Sequence, residues 1–188
     1  VTIPGSVISV ADYSLGYYYD DIIFKYVKYG NFKIYCYKGT AGEKYAKEQG
    51  FKYELLAKPT LTKVTGAKLA GRAADALRIN WTQDTNATGY IIEMYQNGKW
   101  ARVGKITGNG ITTFKKSGLK ASTVYKFRVK AYKMYGRDAD YGGYSATVTA
   151  RTNPSVVKGA KLGGRAADAL RINWTKNASA DGYIVEMY

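Results

Sequence analysis

Thirty residues of this chain occur twice. The segment running from Gly66-Ala67-Lys68-Leu69 through Trp81-Thr82 to Gly89-Tyr90-Ile91-Ile92-Glu93-Met94-Tyr95 returns at 159–188, 93 residues later, with 23 of 30 positions identical. Most differences fall in the stretch Gln83 to Thr88 against Lys176 to Asp181. Solenoid repeats run to about 45 residues at most, whereas about ninety is the length of one small domain. The chain therefore divides into an N-terminal segment at 1–57, one full module at 58–153, and the first three strands of a second module at 154–188.

Within the full module the apolar residues alternate. Leu77, Ile79 and Trp81 share one face and Arg78, Asn80 and Thr82 the other; Tyr90, Ile92 and Met94 alternate with Ile91, Glu93 and Tyr95. Further on, Tyr125, Phe127, Val129 and Ala131 alternate with Lys126, Arg128, Lys130 and Tyr132. A period of two marks strands with one inner and one outer face. Turn signals separate them at Asn97-Gly98, Gly108-Asn109-Gly110 and Gly142-Gly143, the first being a strong hairpin dipeptide. The spacing predicts an antiparallel sandwich of about seven strands.

These residues also carry a resemblance. A tryptophan ending the second strand (Trp81), a Gly89-Tyr90 opening the third, and Leu119 six residues before Tyr125 resemble the fibronectin type III pattern over residues 58–153. The resemblance implies that Trp81 is the centre of a core that includes Tyr90, Leu119, Tyr125 and Val129. It also implies that the Tyr125 hydroxyl ties the sixth strand to the preceding loop. Trp174 is the counterpart of Trp81 in the incomplete copy.

Residues 1–57 have another rhythm. Ile3-Pro4, Val7, Val10, Tyr13 and Leu15 are spaced by about three, the run Phe32 to Tyr37 alternates like a strand, and a short helix is expected from Ala41 to Gln49. Thr40 with Glu43 three residues on has the form of a capping box, and Gly50 suits the position just past the helix. This segment, with Tyr37-Lys38-Gly39-Thr40-Ala41-Gly42-Glu43-Lys44-Tyr45-Ala46, resembles the last repeat and end-cap of leucine-rich-repeat solenoids on bacterial surface proteins. The resemblance implies that Val1 lies inside a longer solenoid. The fold class expected for the whole is mainly β: a leucine-rich-repeat end-cap with one short helix, then an immunoglobulin-like sandwich and a truncated copy of it.

Composition narrows the chemistry. The chain has no histidine and one cysteine, which removes the commonest general base, most zinc sites and every intrachain disulfide. Cys36 sits in a strand-like run and reads as a small buried residue. Mean hydropathy of −0.34 with 46% hydrophobic residues is a globular composition. No apolar stretch approaches the roughly 18 residues of a membrane span, and an export signal, if the protein is exported, would lie upstream of Val1.

The net charge of +15 is uneven: residues 58–153 hold 17 Lys and Arg against 5 Asp and Glu, while 1–57 hold 7 against 6. Such a field favours polyanions, and it also keeps an exported protein soluble; both readings are open. The outer face of the sixth strand, Lys126, Arg128, Lys130 and Tyr132 beside Lys115 and Lys116, is the candidate polyanion face. Alternating lysines equally protect a sheet from edge aggregation. The many tyrosines of 1–57 either stack on sugars or close a short core. Asp20-Asp21 and Asp138-Ala139-Asp140 lack the rest of a calcium loop, and Gly136-Arg137-Asp138 has the wrong order for an integrin motif.

No nucleophile–base pair, carboxylate pair or phosphate loop stands at a workable spacing, so no enzyme, cofactor or metal is expected. The expectation is a non-catalytic adhesion or scaffold fragment, extracellular or on the cell surface, with type III modules as spacers and the solenoid as interaction surface. Alternatives are a polyanion- or carbohydrate-binding module, or an accessory region of a secreted polysaccharide-degrading enzyme. Expected partners are proteins or cell-wall or host polysaccharides, with no specific nucleic acid, and self-association through residues 154–188.

Overall fold

The computed structural model describes residues 1–188. It is mainly β with one short helix. The N-terminal unit holds β1 (Tyr17–Asp20) and β2 (Lys25–Lys28), paired as an antiparallel hairpin, then β3 (Lys33–Cys36), helix α1 (Ala41–Glu48) and β4 (Lys52–Leu55). β3 and β4 run parallel, and Thr2 bridges Tyr35 on the other side of β3, also in parallel. Ile3, Ile34, Cys36, Tyr45, Ala46 and Phe51 form the core beneath this ladder. Cys36 is fully buried there, and burial pushes its thiol pKa up.

The helix ends as the sequence indicates but starts differently. Gly50 has φ +63°, its N–H reaches Lys47 O, and the N–H of Phe51 reaches back to Ala46 O at 2.9 Å; this is a Schellman stop. The capping box is not formed. The Thr40 hydroxyl instead donates to Tyr37 O, and Glu43 accepts from Gly39 N at 2.7 Å, one residue before the expected partner. The tight turn at Tyr37–Thr40 takes the hydroxyl that a capping box would use.

The middle unit contains β5 (Lys68–Arg72), β6 (Ala76–Asn80), β7 (Gly89–Gln96), β8 (Lys99–Thr107), β9 (Thr113–Ser117), β10 (Val124–Tyr135), β11 (Asp138–Tyr141) and β12 (Val148–Arg151). One sheet has the order β5-β6-β9; the other has β11-β10-β7-β8, with β12 also on β10. The last strand of the expected seven is thus split in two, with Asp138 opening β11. Between the sheets lie Leu77, Ile79, Trp81, Tyr90, Ile92, Met94, Leu119, Phe127, Val129 and Ala131. Trp81 meets Tyr90 edge-on at 5.2 Å. Tyr125 is only half-buried, and its hydroxyl accepts from Lys120 N at 2.8 Å. Asn97 and Gly98 both have positive φ, the backbone of the two-residue turn whose twist suits a hairpin.

β10 is twelve residues long and outruns the sandwich. Its end touches the N-terminal unit. Tyr135 is 2% exposed, packs on Gly5 and stands edge-on to Tyr37 at 5.1 Å, while Gly136 N donates to Gly5 O. Lys58, in the connection between the units, sits 4.3 Å over the Tyr135 ring and 3.2 Å from Asp140.

In residues 154–188 only two strands form, β13 (Lys158–Arg165) and β14 (Leu170–Thr175). Their register, Lys161↔Asn173, Leu162↔Ile172 and Gly164↔Arg171, is that of β5 and β6 moved by 93 positions, bulge included. Trp174 meets Tyr183 at 5.2 Å, as Trp81 meets Tyr90. The expected third strand is absent: residues 182–188 have no ladder partner, because nothing corresponding to β8 or β10 lies beside them. For the same reason Trp174 is half-exposed rather than buried, with Leu170 and Ile172 open to solvent.

Candidate functional site: a cationic and aromatic sheet face

The outer face of the larger sheet gathers the most functional side chains. β7 pairs with both β8 and β10, so its register aligns cross-strand rows. Arg102, Glu93 and Arg128 form one row; Lys105, Ile91 and Lys130 form the next. Nearer the Asn97-Gly98 turn on the same face, Trp100 pairs with Tyr95 across β8 and β7, Lys126 pairs with Thr149 across β10 and β12, and the Lys126 ammonium links the two pairs by lying over the Tyr95 ring.

Cations and rings interleave on this face. The Arg128 guanidinium lies 4.3 Å from the Trp100 ring centre and 3.7 Å from that of Tyr144. Lys130 Nζ is 4.5 Å from Tyr141 and 4.8 Å from Tyr144, and Lys126 Nζ is 6.0 Å from Tyr95. Each contact draws a cation onto the negative face of a ring. Glu93 is the one carboxylate in the rows. Arg128 donates to its Oε2 through Nε at 2.8 Å and Nη2 at 2.6 Å, and the Tyr144 hydroxyl donates to Oε1 at 2.8 Å. Partial burial pushes the Glu93 carboxyl up, but the hydrogen bonds from Arg128 and Tyr144 outweigh it and hold the group below its ordinary range. Lys105, Lys126, Lys130 and Arg102 have no carboxylate partner on this face, so they set its sign.

The six residues expected to form the polyanion face do not come together. Lys126, Arg128 and Lys130 are on it. Lys115 and Lys116 are on β9, in the other sheet: Lys115 faces out beside Arg78, and Lys116 is half-buried opposite Leu77. Tyr132 is 2% exposed, although the period of two points it outward. It pairs with Gly89, whose lack of a side chain lets the ring lie over the neighbouring strand, where its hydroxyl donates to Ile106 O at 3.3 Å. Lys105 then covers it, 5.0 Å from the ring centre.

Sequence reasoning missed Tyr95, Trp100, Tyr141, Tyr144, Thr147 and Thr149. For the first two a signal was present: in a two-residue Asn-Gly hairpin, residues two places outside the turn are cross-strand neighbours. Trp100 and Tyr95 do meet, at 5.4 Å. Nowhere in the chain do three or more metal-ligating side chains converge. The face offers cations, ring faces and hydroxyls, which are binding groups.

The fibronectin type III domain family model matches residues 62–151. This stretch is a fibronectin type III domain. The domain is of a kind that is typically non-catalytic and fits a spacer or scaffold role. An α-amylase of Niallia circulans is 39% identical over 82 residues, which is 42% of this chain and 6% of the amylase. Among solved structures, FN3tt mut is 15% identical with a TM-score of 0.42, covering 50% of this chain and 99% of that one. A set of titin domains is 22% identical with a TM-score of 0.43, covering 55% and 35%. No helix of the chain is long and apolar enough to cross a membrane.

Proposed function

We propose that this chain is a non-catalytic scaffold region of a multi-domain protein displayed outside the cell, in which the type III domain holds its neighbours at a set distance and angle. The observation that carries this is the joint at Tyr135. A spacer that transmits orientation needs a fixed contact as well as a linker, and the β10–β11 hairpin supplies one against Gly5 and Tyr37. The N-terminal unit is read as the end of a leucine-rich-repeat solenoid presenting an adhesive surface. Its parallel ladder of residues 1–3, β3 and β4 over a single core is what a stacked repeat array requires. Residues 154–188 are read as the start of a second type III domain, on the identical register of β13–β14 and β5–β6. NMR relaxation of the whole chain tests the proposal: one rotational correlation time for 1–57 and 62–151 supports it, and independent tumbling of the two overturns it.

A second reading, an accessory region of a secreted polysaccharide-degrading enzyme, is favoured by the match to the Niallia circulans α-amylase. The two are compatible, since both place the chain outside the cell. The basic, aromatic sheet face favours carbohydrate or polyanion binding by the module itself.

A further inference from the structure

The pairs Trp100–Tyr95 and Lys126–Thr149, joined by the Lys126 ammonium over the Tyr95 ring, together span the four strands β8, β7, β10 and β12. At ~4.8 Å per strand step this is a track of about 14 Å. Along it Tyr95, Trp100, Lys126, Thr147 and Thr149 line a shallow open depression of ≈ 410 Å³, within the size range of small-ligand sites. The chemistry of those five residues is specific. Tyr95 is 42% exposed and its ring offers an apolar face. Thr147 and Thr149 are exposed, Thr149 pairing with Lys126 across β12 and β10, and each hydroxyl can donate and accept.

We propose that this depression binds one residue of an acidic polysaccharide. A pyranose stacks its apolar face on Tyr95 against the edge of Trp100. Its hydroxyls bond Thr147 and Thr149, and its carboxylate or sulfate meets Lys126. The chain continues over the rows behind, where Lys130, Lys105 and Arg102 receive the next acid groups. Glu93 does not oppose this, because Arg128 and Tyr144 already occupy both of its oxygens. The polysaccharide is favoured over a single-stranded nucleic acid by the hydroxyl groups. Nucleic-acid tracks rely on successive stacking platforms and a cationic groove, whereas Tyr141 and Tyr144 on this face are already covered by Lys130 and Arg128 and the depression itself sets only Tyr95 and Trp100 among two threonines. This inference rests on reading the module as a non-catalytic part of a protein that meets polysaccharides.

Isothermal titration of the whole chain against polygalacturonate, heparin, amylose and oligo(dT), in about 50 mM salt, tests it. Polygalacturonate and heparin are expected to bind and amylose not. Lys126→Gln, which keeps most of the side-chain stem, and Tyr95→Ala, which removes a largely exposed ring, are each expected to weaken binding about tenfold. Lys115→Gln removes the same charge from the opposite sheet and is expected to change affinity less than about twofold. Loss of binding to the same extent in Lys115→Gln and Lys126→Gln would overturn the site, because it would show attraction to net charge alone. Unchanged affinity in Tyr95→Ala, tighter binding of amylose or oligo(dT), or no binding to either acidic polymer would overturn it too. None of these results bears on the tumbling of the two units, which tests the scaffold reading separately.

Discussion

Arg128 grips a single oxygen of Glu93 with two of its nitrogens, Nε at 2.8 Å and Nη2 at 2.6 Å, on a sheet face where both side chains are mostly covered. The folded carboxyl is held below its ordinary range while the unfolded one titrates at about 4.3. Its stabilisation is therefore present in full above that value and lost as pH falls through the lower folded one. Glu93→Gln is expected to lower stability by about 1–2 kcal/mol at pH 7, and the gap to wild type should close towards pH 3. Urea midpoints measured from pH 7 down to pH 3 check it; a gap that stays constant would contradict the assignment.

Trp81 fills the centre of the sandwich, edge-on to Tyr90, with 5% of its surface exposed. Trp81→Ala is expected to cost about 3–5 kcal/mol, a large share of the stability of a domain this size. Thermal and urea unfolding followed by near-ultraviolet circular dichroism measure the loss. A cost below about 1 kcal/mol would mean that the core closes without the ring.

Gly89 lies where β7 comes so close to β8 that a Cβ would overlap the carbonyl of Ile106 and press on the Tyr132 hydroxyl. Its φ is not positive, so the constraint is proximity rather than backbone strain. Gly89→Ala is expected to destabilise by about 3 kcal/mol, whereas Gly110→Ala, at an open position, should be close to neutral. Equal effects in the two variants, measured by urea unfolding, would refute the close approach.

The Tyr135 hydroxyl is buried without a hydrogen-bond partner. Tyr135→Phe removes that group and keeps the ring, so it is expected to match or exceed wild-type stability. Tyr135→Ala removes the packing on Gly5 and Tyr37 and should free the two units, seen as faster proteolysis near Lys58 with little change in the unfolding of the type III domain. Slower unfolding in neither variant, with Tyr135→Phe clearly weakened, would point to a partner for the hydroxyl.

What the sequence made legible was local. The alternation of Leu77, Ile79 and Trp81, the Asn97-Gly98 hairpin and the Gly50 helix stop each follow from a few neighbouring residues, and each appears in the fold. The candidate face was only half legible because a face is set by strand order. Lys115 and Lys116 are near Lys126 along the chain, yet β9 pairs with β6 and not with β10. Tyr132 followed the right period but met a glycine across the strand, so its ring lies flat over bare backbone on the outer face and is covered by Lys105. Thr147 and Thr149 join the site only because the last strand breaks in two and its second half returns to β10.

The reach of β10 has a mechanical consequence. Only Ala57 to Thr60 connect the two units covalently without belonging to either core, and fully extended they span about 14 Å. Gly136 and Tyr135 hold Gly5 and Tyr37 beside that connection, so the two units are joined twice, once by the chain and once by side-by-side contact. A pull that separates the two units works against this clasp, the Gly136–Gly5 hydrogen bond, the Tyr135 ring contacts and the Lys58–Asp140 pair, and not against either hydrophobic core. Parting the clasp alone therefore lengthens the molecule by no more than the slack in those four residues and leaves both cores intact.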